Sequence, residues 1–293
     1  ILFESLEFFI IIRLEMIKLI KKIIWFISHN TPYFKGKMRL IEFFTRPKKN
    51  KDVIVTRQNV NWSIYGQDLI EFNIAYKSHD KHIRRSLINE IKVNDINILW
   101  DIGANIGSIT LPIIKQFPNI QSMMFEPSPK VMGKLIQNLT INPDLEKRCR
   151  LYCLALSNQT SLSKFYSSNE SYNSGVGGLG ISHNREKFGI FLNTDTGDRL
   201  IKDNVVDIPE IIKIDVEGYE IEVLQGLKET LKTYKPIILF EHCIYRLNER
   251  NKPKEQVFNF LNSFGYKFYN SINNQQIFKN DLNNDLDIIA KSN

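Results

Sequence analysis

Cysteine is scarce in this chain: Cys149, Cys153 and Cys243 are all it has, and no two form a CxxC pair. An odd count without that spacing argues against a disulfide framework or a zinc cage and makes a reducing compartment the default. Long apolar runs are missing as well. Arg13, Glu15, Lys18, Lys21 and Lys22 break up the hydrophobic N-terminus, which falls short of the ~20 residues that a membrane-spanning helix needs. Acidic Glu4 and Glu7 stand where a secretory signal would carry a basic leader, and no small-residue cleavage site follows. The expectation is a cytoplasmic protein, with peripheral membrane contact left open. Neither sign of charge dominates: 39 Lys and Arg face 32 Asp and Glu, for a net +7 and a pI near 9.1. Such a balance permits a phosphate-bearing or membrane-surface partner without requiring one. There is no internal repeat.

What is present reads as globular. Hydrophobic residues make up 43% and charged residues 24% of 293, enough for a sizeable core and unlike a disordered chain. Residues 2–28 read as one amphipathic helix, with Glu4, Glu7, Glu15, Lys18 and Lys22 on one stripe and Leu6, Phe9, Ile10, Leu14, Ile17, Ile20 and Ile24 opposite. Its apolar face suits a membrane surface, a partner, or its own domain. A basic linker with Lys35, Lys37, Arg39, Arg46, Lys48, Lys49 and Lys51 closes a first unit at 1–51. Residues 52–95 form a lead-in, a hairpin from 52–57 and 62–65 and a helix over 81–92.

From 96 to 293 strand and helix patterns alternate. Strands are expected at 97–101, 121–126, 150–156, 210–215, 236–242, 266–271 and 287–291, with helices over 108–117, 130–140, 220–231 and 257–263. Apolar strands separated by amphipathic helices predict βαβ crossovers and a mostly parallel α/β sheet covered on both faces. Ligands of such sheets bind beyond the carboxyl ends of the strands, and here those ends are acidic. The first runs into Asp101-Ile102-Gly103-Ala104-Asn105-Ile106-Gly107, whose glycines let backbone approach a ligand while the next helix offers N–H groups to an anion. Asn105 stands where a nicotinamide fingerprint needs glycine, and the Gly-Lys-Ser/Thr ending of a phosphate loop is absent. The second strand ends at Glu126, a carboxylate suited to both hydroxyls of a ribose.

The blocks DIGANIGS, FEPSP and KIDVEGYEIEVLQGL, in this order and spacing, resemble the FkbM-type family of S-adenosylmethionine-dependent methyltransferases. The resemblance runs from the 52–57 strand to the terminal DIIAK. It implies a class I methyltransferase (Rossmann-like) fold with a seven-stranded, mostly parallel sheet whose last strand is antiparallel. It further implies S-adenosyl-L-methionine as cofactor and O-methylation of sugars or other small hydroxylated acceptors. By the same resemblance Asp101, Gly103, Asn105 and Gly107 surround the methionine part of the cofactor, Glu126 its ribose, and Ser128 with Leu156 and its neighbours the adenine.

The chemistry agrees with that placement. A sulfonium donor is a cation, and Asp101, Asp215 and Glu217 would attract it. Methyl transfer is an in-line displacement, so alignment and exclusion of water matter most, and an alcohol acceptor gains from a nearby base. Asp215, Glu241, His242 and Glu217 are the candidates at adjacent strand ends. His242 has the most suitable intrinsic pKa, but a buried histidine bonded to backbone fits its position equally. Glu217 could simply stabilise a helix start, and Lys213 suits a structural ion pair. No metal ligand set is assigned. Tyr172 and His183, in or near the glycine-rich 171–180 segment, mark a lid or a plain connector. Two rivals stand beside this reading. A nucleic-acid methyltransferase is disfavoured because Asp215-Val216-Glu217-Gly218 replaces the Asn/Asp-Pro-Pro-aromatic turn of base-methylating enzymes. A non-catalytic cofactor-fold module bound to a membrane-associated assembly is disfavoured because Asp101, Gly103, Gly107, Glu126 and Asp215 are all intact.

Overall fold

The computed structural model describes residues 53–64, 69–76, 81–166, 178–179 and 189–292, together with isolated helical positions at 15, 16, 19, 20 and 23. Most of the 2–28 helix, the basic linker, Tyr172, His183 and the 171–180 segment apart from Gly178 and Leu179 lie outside the described residues.

The first described elements are an antiparallel hairpin, β1 (Val53–Arg57) and β2 (Val60–Ile64), then helices α1 (Leu69–Tyr76) and α2 (Lys81–Asn94). There follow β3 (Ile98–Ile102), α3 (Thr110–Gln116), β4 (Gln121–Phe125), α4 (Pro129–Thr140), α5 (Pro143–Glu146), β5 (Cys149–Tyr152), β6 (Ala155–Leu156), β7 (Ser161–Tyr166), β8 (Gly178–Leu179) and β9 (Gly189–Asp195). The remainder comprises α6 (Gly197–Lys202), β10 (Ile211–Ile214), α7 (Glu220–Gln225), α8 (Lys228–Thr233), β11 (Ile237–His242), α9 (Ile244–Glu249), α10 (Gln256–Asn262), β12 (Tyr266–Asn270), β13 (Gln276–Ile277) and β14 (Leu286–Ser292).

The main sheet has the order β13-β12-β14-β11-β10-β3-β4-β5. Strands β5, β4, β3, β10 and β11 pair in parallel, and β14 runs antiparallel to both β11 and β12. This is the implied arrangement with an eighth strand, because β13 folds back on β12 as a two-residue hairpin arm. Alternation along each strand feeds two cores. Leu99, Ile211, Leu239 and Ile289 pack on one face with α3, α4 and the hairpin residues Val60 and Trp62. Trp100, Ile212, Ile214, Phe240 and Ile288 pack on the other with α6, α7, α8 and α10. Each such fully buried side chain contributes roughly 1.5–3 kcal/mol.

Three expectations about elements are corrected. The 150–156 strand divides after Tyr152, and Ala155 and Leu156 pair instead with Thr194 and Asp195 of β9. The stretch read as irregular thereby builds a second, four-stranded sheet in the order β6-β9-β7-β8. The 220–231 helix is two helices, because the chain bends at Gly226 and Leu227. A β-carbon on Gly226 would lie 2.0 Å from the Ser157 carbonyl oxygen, so the bend is where this helix meets the second sheet's edge.

Candidate active site

The turn after β3 is fixed by backbone contacts before any ligand is considered. Gly103 and Gly107 have φ of +78° and +87°, and Asn105 +50°. Gly103 N and Ala104 N both donate to Phe125 O, Asn105 N donates to Glu126 Oε2 (3.0 Å), Ile106 N to Asn105 Oδ1 and Gly107 N to Ala104 O. All five amides are therefore used within the protein. The helix that follows starts at Thr110, so residues 103–107 form a closed turn, and the N–H groups expected to face an anion belong to that helix start. The turn has Asn105 half-exposed on its outer side, with its side-chain Oδ1 taken up by Ile106.

Asp101 sits beneath this turn, fully buried. Its Oδ2 accepts from Thr110 Oγ1 at 2.6 Å, and its Oδ1 lies 3.1 Å from Lys213 Nζ. Lys213 also donates to Gly103 O at 2.8 Å and stands 3.4 Å from Asp215 Oδ2. Burial alone would lower the Lys213 pKa, but Asp101 and Asp215 overcome it and raise the net value. Asp101 is thus the floor of the site, not part of an open acidic rim, and Lys213 ties strands β3 and β10 to both loops.

Glu126, just past β4, is buried with both oxygens engaged: Oε1 accepts from Ser128 N at 2.8 Å and Oε2 from Asn105 N at 3.0 Å. Each carboxylate oxygen retains a second lone pair, which suits two vicinal hydroxyl donors. Burial pushes this carboxyl up to about 7, against the pull of those two amides and Lys213. Ser128 caps α4 and holds Glu126 through its amide. Leu156 is buried, a member of the core that also holds Trp100, Phe125 and Leu200. The division of the third strand puts Cys153 beyond the end of β5 instead, exposed and close enough to Glu126 for that carboxylate to help burial raise the thiol's pKa.

On the other side of β3, the face shared by Asp101 and Lys213 continues through Asp215 and Glu241. Asp215 is partly exposed. Glu217, with a positive φ of 57°, pairs with Arg246 Nε at 2.6 Å. Burial raises its pKa and Arg246 opposes that. Glu241 has no hydrogen bond or ion pair among the described residues. Burial pushes it up to about 8, reinforced by Asp215, Glu217, Asp287 and Glu220. His242 does not join this group. The two-residue alternation of β11 turns it to the opposite face, where burial lowers its pKa and the nearby groups are Leu282, Asp285, Lys254 and Glu255. Its buried Nε2 has no hydrogen-bond partner.

Sequence reading missed four residues here. Glu220 turns back so that its carboxylate accepts from Gly218 N at 3.0 Å, and burial raises it to about 7. Arg246, from α9, takes Glu217. Asp287 is the register partner of Glu241, and His82 bonds Asp287. The DVEGYE block could have pointed to Glu220, whereas Arg246, Asp287 and His82 meet the site only through tertiary contacts. No group of three or more His, Cys, Asp or Glu placed to hold a metal occurs among the described residues.

The strand order and the site at its carboxyl edge define a class I methyltransferase fold. The family model described as "Methyltransferase FkbM domain" matches residues 101–268, more than half of the chain, and the chain belongs to that family. Two curated relatives are each 27% identical to it. One is the hexuronic acid methyltransferase AglP of Haloferax volcanii, aligned over 56% of this chain and 63% of its own length. The other is the methyltransferase sdnD of Sordaria araneosa, over 44% and 60%. The chain thus spans less than two thirds of either relative. Among solved structures, the methyltransferase FkbM of Methylobacillus flagellatus is similar at a TM-score of 0.45 and 17% identity, over 67% of this chain and 44% of that one.

The donor set fits S-adenosylmethionine. Past β4 it offers the Glu126 carboxylate as an acceptor for a diol, and a sulfonium cation nearby would favour the ionised forms of Glu126 and Glu241.

Proposed function

We propose that this chain transfers a methyl group from S-adenosylmethionine to a hydroxyl of a carbohydrate or another small polyhydroxylated acceptor. The observation that carries the reading is Glu126, a buried carboxylate pinned by Asn105 N and Ser128 N with lone pairs left for a ribose diol. Membership of the family supports the reaction, and the hexuronic acid acceptor in the name of AglP supports the acceptor class.

The cofactor supplies an activated methyl group when bound. Glu126 would hold its ribose, the 103–107 turn would flank its methionine part, and Asp101 would act from below by fixing Lys213 and the turn. Asp215 and Glu241 would face the acceptor. As the acceptor oxygen becomes an ether it loses its proton, and Glu241, unpaired and with a high pKa, is the group best placed to take it. Residues 96–293 would carry the transfer, with 52–95 as a lead-in on the acceptor side.

Equilibrium binding of labelled S-adenosylmethionine to the full chain and to Glu126→Ala tests the cofactor half. Removing two charge-assisted acceptors should weaken binding by roughly 30-fold or more, and equal binding by both proteins would reject the placement. Mass spectrometry of glycans and polyols incubated with the labelled cofactor tests the acceptor half. Asp215→Ala or Glu241→Ala should lower turnover with little effect on cofactor binding, and unchanged rates in both would remove them from the chemistry.

We also infer that the N-terminal segment meets an anionic membrane face. Residues 1–51 contain eleven Lys and Arg against four Glu, so the whole net charge of +7 resides there. Met16, Leu19 and Ile23, on helical positions, are exposed, and an apolar stripe among cations suits an acidic lipid surface. Among the described residues no helix is long and apolar enough to cross a membrane. Co-sedimentation with vesicles containing phosphatidylserine, compared with neutral vesicles, should show retention that high salt removes. Equal partition with both kinds of vesicle would overturn this inference.

A further inference from the structure

The hairpin of β1 and β2 lies outside residues 101–268, the segment that the family model covers. It forms a two-stranded sheet of its own, so among the described residues no strand runs along the second edge of β2. Backbone groups on such an edge need other partners, and two asparagines at the end of α4 supply them. Asn142 makes the pair of bonds that a neighbouring strand would make: its Oδ1 accepts from Asn61 N at 2.9 Å and its Nδ2 donates to Asn61 O at 2.6 Å. Asn138, four residues earlier, accepts from Ser63 N at 3.0 Å. Both asparagines are buried, and Val60 and Trp62 of the hairpin share a core with Leu135 and Leu139 of α4.

The two asparagines differ in what else they reach. Asn142 Nδ2 also donates to Asn138 O, which stays within the end of α4. Asn138 Nδ2 donates to Ile106 O at 3.1 Å, and Ile106 belongs to the 103–107 turn. A backbone N–H can only donate and a carbonyl can only accept, so the orientation of the Asn138 carboxamide is set by its two neighbours. Ile106 is thus held by asparagines at both of its polar groups, its N–H by Asn105 Oδ1 at 2.8 Å and its carbonyl by Asn138. One fully buried carboxamide joins the hairpin to the turn after β3.

We propose that Asn138 is a positioning residue for the cofactor, bracing the turn after β3 against the lead-in hairpin so that the turn is in place before S-adenosylmethionine arrives. This deepens the proposed function and rests on it for the cofactor's position. Without the carboxamide the buried Ile106 carbonyl has lost its donor, and movement of the turn towards water relieves that cost. A surface that is ordered in only a fraction of the molecules binds its ligand with affinity reduced by that fraction. The disorder reaches the ribose end as well, because Asn105 N in the same turn pins Glu126 Oε2. The hairpin, which the family segment does not include, thereby supports a site that the family segment provides.

The test compares Asn138→Leu with Asn142→Leu in the full chain, by hydrogen exchange and by equilibrium binding of labelled S-adenosylmethionine. Each substitution removes a buried carboxamide of the same size from the hairpin edge, but only the first removes a bond to the turn. Asn138→Leu should accelerate exchange at the amides of Asn105, Ile106 and Gly107 and weaken cofactor binding about tenfold. Asn142→Leu should lower stability towards urea while the turn amides and the affinity keep their parent values. A merely structural role would move binding in both variants alike or in neither. Equal effects of the two substitutions on binding, or turn amides that Asn138→Leu leaves unchanged, would overturn the proposal. Should Asn138→Leu not fold, the parent chain decides. Linkage is reciprocal, so saturating S-adenosylmethionine should slow exchange of Ser63 N together with the turn amides, and a slowed turn beside an unaltered Ser63 N would overturn the brace. Exchange at the turn in the two variants is read with no cofactor present. A loosened turn in a chain that binds no S-adenosylmethionine would sustain the brace and reject the cofactor's placement. Binding that Asn138→Leu leaves at its parent strength would keep the cofactor and reject the role of Asn138.

Discussion

Gly103 lies against the backbone of Asp215 so closely that a β-carbon at position 103 would stand 1.8 Å from the Asp215 carbonyl oxygen. The turn after β3 and the loop after β10 are thus in direct backbone contact, and Lys213 bonds to Gly103 O across the same seam. The glycine is required by this contact and by its φ of +78° before any ligand arrives. Gly103→Ala should cost about 3 kcal/mol or more of stability and move the two loops apart. Thermal and urea unfolding of the variant check the first, and a stability equal to that of the parent would show that the seam yields easily.

The buried Asp101 and Lys213 are each other's principal compensation. Removing one charge alone leaves the other in a dry interior, so Lys213→Met is expected to cost roughly 3–5 kcal/mol. The double variant Asp101→Asn, Lys213→Met should recover much of that loss. A double-mutant cycle by urea unfolding measures it, and additive effects of the two substitutions would mean that the ion pair at 3.1 Å contributes little.

How far the sequence leads depends on the range of the interactions. The alternating strands of the main sheet were legible because their pattern is local: Ile98–Ile102, Gln121–Phe125 and Ile211–Ile214 lie within a residue of their expected places. Asp101, Glu126 and Asp215 were legible as acids at strand ends. The second sheet was not, since β7 is serine-rich and β9 takes its identity from pairing with a distant strand and with Ala155 and Leu156. Gly226 did not announce the break, because the contact that demands a glycine there, the approach of Ser157 O, is tertiary. The orientation of His242 follows from the parity of β11, which places Glu241 and His242 on opposite faces however close they are in sequence. His82 and Asp287 are 205 residues apart, and no local signal joins them.

Helix α9 clamps the loop after β10. Arg246 holds Glu217, Arg250 Nη1 donates to Gly218 O at 2.8 Å, and the Arg250 guanidinium lies over the Tyr219 ring. Arg246→Ala should leave Glu217 without its partner beside Asp215 and Glu241, at a cost of about 1–3 kcal/mol. Local opening should increase accordingly. Hydrogen exchange at the amides of 216–219 should accelerate while exchange in β3 and β4 stays slow. Unchanged exchange in the loop would show that Arg250 alone secures it.

Burial raises Glu126 and Glu220 to about 7 and Glu241 to about 8, all above the 4.5 of an ordinary glutamate. Between those values the folded chain binds more protons than the unfolded one, so these groups contribute a stability that is complete below about pH 4.5 and declines as pH rises towards 8. A cationic ligand acts in the opposite sense, because it favours the ionised carboxylates and expels their protons. Under the proposed function, binding of S-adenosylmethionine at pH 7 should therefore release roughly half a proton to one proton, with affinity increasing from pH 6 to pH 8. Calorimetry in two buffers of different ionisation enthalpy measures the release, and Glu126→Gln should reduce it. Proton uptake on binding, or affinity that falls over this window, would mean that the buried carboxylates do not answer the cofactor's charge.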